Sequence, residues 1–461
     1  MRHPVARLAA VVLLTSIASC SGDGADFIWF KVMHAVPDAP VVRVSFDDYV
    51  FRRNTAYGIS TNEGGESLLS GADPTALMTA EYLEPNAEVG GTLLTVDVPV
   101  EKDSLSAVIL AGSFDAPEAI TVVGPRRPRP LASLYFQFAH ATPSLPALDV
   151  YVTAPDTELT STAPFATIAP LDHSKSLEVP FGATRIRLTN AGTFDVVMDT
   201  GEIEFAQLPT ATGPGAEWLF AIAPTILPGP SPVFLIAGST AINTRFNDQG
   251  TPATARAWHA SPGAPPADLV AVTEPDQVLF SDIPFGTRTA RVALPEATTE
   301  LQFRESGTPA NVLASDEFEY EVPTQYEVFL VEPPASARTF RVETVVRSIA
   351  GQSQVRLAHL APDREFLLVY LTTDEQEAPS PATRVFPGQP FGTATNYIPR
   401  TPGDYFLTIT EIGDEDGAEE NVLIGPVPVT LADGDAATFA VFPPENEGET
   451  EVLEIFPEFV P

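Results

Sequence analysis

The 461-residue sequence has one cysteine, Cys20, and three lysines, Lys31, Lys102 and Lys175, among 25 basic residues set against 61 acidic ones. A single thiol excludes a disulfide framework and any metal site built from several cysteines. A net charge of −36 excludes a general nucleic-acid binder, whose phosphate contacts need a basic face. Long apolar runs are missing too. No stretch reaches 18 uninterrupted apolar residues, so nothing reads as a membrane-spanning helix. Gly-x-Ser-x-Gly, His-Glu-x-x-His and phosphate-loop patterns are absent, and Gly213-Pro214-Gly215 lacks the third glycine and following helix of a dinucleotide fingerprint. What is plentiful is proline, 46 residues, and apolar material, 44% of the chain. The first argues for short strands and turns rather than long helices. The second is enough for several cores, and the length suggests three or four domains.

The N-terminus carries Arg2 and Arg7, then a short apolar stretch from Leu8 to Leu14, the pattern of a secretory signal. Ile17-Ala18-Ser19-Cys20 resembles the lipobox of bacterial lipoproteins: an aliphatic residue, two small residues and the cysteine. That resemblance implies acylation of the Cys20 thiol and removal of residues 1–19, with Ser21 favouring the outer membrane. Loss of Arg2 and Arg7 takes the charge from −36 to −38, so attachment falls to the lipid and not to anionic headgroups. Residues 20–26 form a polar tether.

Internal repeats organise the rest. Four of the six histidines, His34, His140, His259 and His359, share one motif: His34-Ala35-Val36-Pro37-Asp38-Ala39-Pro40, His140-Ala141-Thr142-Pro143, His259-Ala260-Ser261-Pro262 and His359-Leu360-Ala361-Pro362. A second signature follows at Pro180-Phe181-Gly182, Pro284-Phe285-Gly286 and Pro390-Phe391-Gly392, with Ala56-Tyr57-Gly58 as the counterpart in the first repeat. Each repeat ends in two apolar runs that read as a closing hairpin, such as Ala107–Ala111 with Ile120–Val123. Between these marks the period is two, as in Leu148-Asp149-Val150-Tyr151-Val152, Thr184–Thr189 and Phe318–Val322, the pattern of half-buried antiparallel strands. Short strands in units of about 100 residues indicate β-sandwiches. Asp73-Pro74 is the one helix signal, predicting a short helix through Leu83. The expected repeats span 27–124, 131–246, 251–348 and 353–461, as four beads on a string with modest interfaces. Asn247–Gly250 and Ala350–Ser353 read as hinges, and Gly124–Pro130 as a stiff linker.

The motif His-Ala-x-Pro-x-Ala-Pro, followed by a strand of Asp149-Val150-Tyr151-Val152 character, resembles a bacterial family of extracellular domains of unknown function. The resemblance implies tandem immunoglobulin-like sandwiches in secreted or lipid-anchored proteins. It implies no activity. The fourth repeat departs from the pattern, since His359 to Asp363 lacks the closing Ala-Pro. Physically the motif is structural. Proline ends a strand, Phe-Gly makes a corner, and the histidine caps the strand end through a backbone hydrogen bond.

The functional expectations follow. Equivalent histidines in successive beads lie too far apart to share a metal. Carboxylates such as Glu202 and Glu204, or Glu319 and Glu321, share a strand face rather than opposing across a cleft, so no catalytic residue is assigned. Asp414 and Asp416, in the acidic stretch 414–420, and the Asp47-Asp48 pair are the calcium candidates, against solvated turns as the plainer reading. No cofactor is expected. The expected function is a surface binding or adhesion protein meeting a protein or glycan through sandwich-end loops or sheet edges. A passive envelope spacer is the alternative and an envelope enzyme the third.

Overall fold

The computed structural model describes residues 26–68, 75–126, 133–205, 217–240, 242–296, 298–317, 320–411, 421–446 and 448–459. The protein is all-β, with a short 3₁₀ turn at Leu159–Ser161. The first unit shows the plan. Its strands are β1 (Asp26–His34), β2 (Val42–Phe46), β3 (Tyr49–Thr55), β4 (Gly64–Leu68), β5 (Thr75–Leu83), β6 (Val89–Pro99), β7 (Ser104–Gly112) and β8 (Pro117–Pro125). They form two sheets in the orders β4-β1-β7-β8 and β3-β2-β5-β6. Three further pairs of sheets repeat these orders along the chain, and the second unit adds an edge strand, Asn243–Phe246.

Lettered in chain order, the sheets are D-A-G-H and C-B-E-F, a strand distribution distinct from the A-B-E-D and C-F-G sheets of immunoglobulin constant domains. The pairing is antiparallel except between first and seventh strands. β1 runs parallel to β7 from Trp29 beside Leu105 to His34 beside Leu110, and the other three units repeat this. The histidine motif therefore begins where the central parallel pair ends.

Two local expectations are corrected. The residues Thr75–Leu83 form strand β5, not a helix. Ala76, Met78 and Ala80 are buried while Leu77 is exposed, and this period of two outweighs the Asp-Pro start signal. Tyr320, Glu321 and Val322 lie outside any strand, and Phe318 and Glu319 fall outside the described residues. The described strand is Val312–Glu317, and Pro323 has no N–H to extend a ladder.

The larger correction concerns the beads. Each unit has its own core between its two sheets, such as Phe30, Val44, Met78, Val98 and Val108 in the first. The D-A-G-H sheet of each unit is also buried on its outer face. In the first pair, Met33, Ile109 and Ile120 pack against Leu219, Phe234 and Ile236 of the second unit. In the second pair, Trp258, Phe329 and Val331 meet Leu360, Ala440 and Phe442. Each fully buried large apolar side chain contributes about 1.5–3 kcal/mol, so such faces hold units together far more firmly than a linker. The units are two face-to-face pairs.

The expected hinges are docked as well. Asp248 accepts the backbone N–H groups of Asp199 (2.8 Å) and Gly250 (2.7 Å), tying that turn to the second unit. Ala350 donates to Asp38 O (2.8 Å), Gln352 to Leu83 O (2.8 Å), and Arg347 to Pro37 O (2.6 Å) and Ala39 O (2.9 Å). The segment joining the third and fourth units thus seats on the motif loop of the first.

The first pair offers a direct test. A Cβ on Gly238 would collide with Ser60 Oγ and meet Met33 Cε at 3.0 Å, both across the interface. Gly238→Val is expected to cost about 1–3 kcal/mol by overpacking and to open this interface first. Faster proteolysis between the first two units, with the second pair unchanged, is the readout.

Candidate functional site

The four motif histidines sit at the ends of the A strands, fully buried. In three of them the ring is a two-ended staple. The backbone N–H of the residue two positions on donates to Nδ1: Val36 to His34 (3.3 Å), Thr142 to His140 (3.3 Å) and Ser261 to His259 (3.4 Å). With Nδ1 accepting, Nε2 carries the hydrogen and donates to the carbonyl six residues on: Pro40 (3.2 Å), Pro146 (2.9 Å) and Pro265 (3.1 Å). The spacing from the histidine to the last proline of the motif is the length of this loop. In the fourth repeat Glu365 stands at that place, and His359 makes neither staple hydrogen bond, the Arg364 backbone being the group that opposes its burial.

Burial disfavours the charged ring in every case. It lowers His34 to about 4, against the opposing pull of the Pro40 carbonyl, and His359 to about 4. His140 and His259 are lowered by burial too, opposed by Pro146 and Pro265. A neutral histidine with its lone pair already occupied has none left for a metal. Among the described residues no group of three or more His, Cys, Asp or Glu is placed to hold an ion.

The corner that follows is defined by a left-handed residue whose N–H returns to the histidine carbonyl. Gly58 (φ 74°), Gly286 (φ 77°) and Gly392 (φ 73°) do this at 2.7, 2.8 and 3.0 Å. The preceding aromatic stands edge-on to the imidazole, Tyr57 at 6.3 Å, Phe285 at 6.1 Å and Phe391 at 5.9 Å. In the second repeat this place belongs to Leu171 (φ 61°), which donates to His140 O at 2.9 Å. The expected counterpart, Pro180-Phe181-Gly182, lies instead beyond that corner, at the end of strand Leu177–Pro180, with Phe181 exposed. The returning hydrogen bond, not the Phe-Gly lettering, makes the corner.

Three residues before each histidine is a position that sequence reasoning passed over: Lys31, Gln137, Arg256 and Arg356. All are buried, and all lie in strands whose neighbours are apolar. Lys31 Nζ donates to Thr61 O (2.9 Å) and, across the interface, to Ser239 O (2.8 Å). Burial lowers its pKa to about 8, with Glu63 opposing. In the second pair the same position builds a larger polar centre. Glu327, fully buried, accepts from Arg256 (2.5 Å), Arg356 and Trp258 Nε1 (2.8 Å). Glu458 accepts from Arg256 (2.7 Å), Arg288 (2.7 Å), Tyr397 (2.5 Å) and Thr438 (2.9 Å). A single charge inside an otherwise continuous apolar strand was the available signal.

A cleft of about 660 Å³ opens at the end of the third unit. Thr251 and Pro252 of the connecting turn form one wall, and Pro295, Thr299, Tyr320 and Val322 the other. This volume suits a small ligand or a few residues of a larger one. Its lining is mostly apolar and hydroxyl-bearing, with Gln249 and one carboxylate, Glu296, among the described residues. The connecting turn that bounds it is held by Asp248.

The remaining candidates are quickly placed. Cys20, Asp414 and Asp416 lie outside the described residues. Asp47 makes the β2–β3 turn, its carboxylate accepting the Leu77 N–H at 2.9 Å. Glu202 and Glu204 share one strand.

Comparison with known proteins matches one part of the chain. Residues 253–370 fit the family model described as a domain of unknown function, DUF4397. The matched stretch runs from the A strand of the third unit (Thr254–Ala260) into the B strand of the fourth (Phe366–Thr372). No curated protein matches. Among solved structures, the Bacillus anthracis TIE protein is 9% identical, covering 91% of this chain and 68% of that one, at a TM-score of 0.14. A product complex of the multi-modular glycogen-degrading pneumococcal virulence factor SpuA is 7% identical, covering 86% of this chain and 37% of that one, at a TM-score of 0.17.

Proposed function

We propose that this is a non-enzymatic, lipid-anchored protein of the cell envelope that binds a protein or glycan partner through the ends of its β-sandwich units. The observation that carries the reading is the cleft at the end of the third unit, walled by Pro252, Pro295, Tyr320 and Val322. Sandwich-end loops on a rigid scaffold are common recognition surfaces. Among the described residues the cleft lining has a single carboxylate, Glu296, and no histidine, which supports binding over acid–base catalysis. The Cys20 lipobox resemblance supports anchoring and an outer-membrane location. The spacer reading draws on a different observation, the two face-to-face pairs, which make a stiff body suited to holding envelope layers apart.

Cross-linking in intact cells separates the two. A recognition protein yields a reproducible, stoichiometric partner. Thr299→Arg, at an exposed position of the cleft wall, is expected to lower its recovery at least about tenfold without altering the melting temperature. Recovery of no partner from the unaltered protein leaves the spacer. Recovery undiminished in the variant moves the binding surface elsewhere.

A further inference from the structure

The polar centre of the second pair is out of charge balance. Among the described residues, the guanidinium groups of Arg256, Arg288, Arg291 and Arg356 surround only two carboxylates, Glu327 and Glu458. In a chain with 25 basic residues against 61 acidic ones, so dense a cluster of arginines is not a consequence of composition. Arg356 is fully committed, to Thr438, Glu327 and the ring of Tyr397. Arg288 spends its two terminal nitrogens on Glu458 and Pro457 O.

Arg256 and Arg291 are not saturated. Arg256 is more than nine-tenths buried, and its Nε has no hydrogen-bond partner. One of its two terminal nitrogens, Nη2, serves both carboxylates. Arg291, at the rim, reaches Glu327 only at 3.4 Å and otherwise donates to Tyr326 O at 3.1 Å. A buried guanidinium donor without an acceptor, beside a second loosely held cation, is costly unless an anion completes the group.

We infer that the rim of this centre, at Arg256 and Arg291, is a binding site for a small oxyanion group, a phosphate or a carboxylate. Paired N–H donors on a guanidinium match such groups two bonds at a time. Burial and the neighbouring Arg256 charge both lower Arg291, to about 10, more than Glu327 restores it, whereas Glu327 and Glu458 raise Arg256 against its burial, so the surplus positive charge lies at Arg291 on the rim. Arg288 is lowered by burial and by Arg256 in the same way. This site is separate from the cleft and does not depend on it.

Thermal melting of the full chain at pH 7 tests it, with inorganic phosphate, acetate or chloride added at matched ionic strength. Phosphate or acetate at ten times its half-saturating concentration is expected to raise the melting temperature of the second pair by about 3–5 °C over chloride. At equal concentrations of the two, a larger effect of phosphate marks a tetrahedral oxyanion, and a larger effect of acetate a carboxylate. Arg291→Gln is expected to abolish the rise. Arg304→Gln, on the opposite sheet and paired with Asp276, is expected to leave it intact. Calorimetric titration of the folded Arg291→Gln protein with phosphate reads binding independently of stability. No rise over chloride with either anion, or an undiminished response in Arg291→Gln, overturns the site.

Discussion

Glu327→Gln is expected to destabilise the second pair by about 3–5 kcal/mol, the usual cost of breaking a buried ion pair from one side. Glu327 is fully buried and is the acceptor on which Arg256, Arg356 and Trp258 Nε1 converge. The amide keeps the shape and removes the charge, leaving three or more guanidinium groups facing one remaining carboxylate, Glu458. At about 2–4 °C per kcal/mol for a body of this size, the transition of the second pair should fall by about 10 °C. Its near-ultraviolet signal should report this directly, because the Trp258 indole loses its anionic acceptor. The first pair, with Lys31 and Gln137 at the equivalent positions, should melt unchanged. A drop shared equally by both pairs would mean that they unfold as one body. No drop would mean that solvent already reaches the network.

Acidification is expected to weaken the protein in two stages. His34 and His359 hold native pKa values of about 4, against an ordinary value of 6.5, because burial penalises the charged ring. Between those values the unfolded chain carries a proton that the native one refuses. Stability is therefore full above about pH 6.5 and falls as the pH drops toward 4, by about 1.4 kcal/mol per unit for each such histidine. Together the two remove several kcal/mol over that window. The second stage belongs to Glu327. Burial pushes its carboxyl up, but Arg356 and Arg256 overcome this and hold it near 2, so its contribution is lost as the pH falls from about 4.5 toward 2. His359→Leu should flatten the first stage by one histidine. It should also cost less at pH 7 than His34→Leu, since His359 makes neither of the two staple hydrogen bonds. His34→Leu breaks two backbone hydrogen bonds and should cost about 2–4 kcal/mol at pH 7. Denaturant melts of both variants from pH 4 to 8 separate these outcomes. Equal losses at pH 7 would show that the staple holds nothing.

The class of fold was legible because strand alternation is a local property. Residues such as Val150 and Val152, or Ile186 and Leu188, declare an inward face without reference to anything distant. The staple was half legible. The recurring histidine pointed to a strand-end cap, but its tautomer depends on Pro40, Pro146 and Pro265, which only a folded loop brings back to the ring. The corner of the second repeat was misread for a related reason. Leu171 carries no glycine signature, and its positive φ is imposed by the hydrogen bond to His140 O. Chain lettering records propensity, not the contact that overrides it.

Pairing of the units was present as a signal that went unread. Strands such as Ala107–Ala111 and Val328–Val331 are apolar at consecutive positions, which a strand with one wet face does not tolerate. By itself, then, the sequence determined the strands, the four-fold repetition of the histidine motif and the acidity of the surface. Those are written in residue type, spacing and charge. The tertiary structure decided which sheets stack on which, where Lys31, Arg256 and Arg356 find acceptors, and that the connecting segments are docked. Each of these depends on groups tens to hundreds of residues apart, and only folding measures that distance.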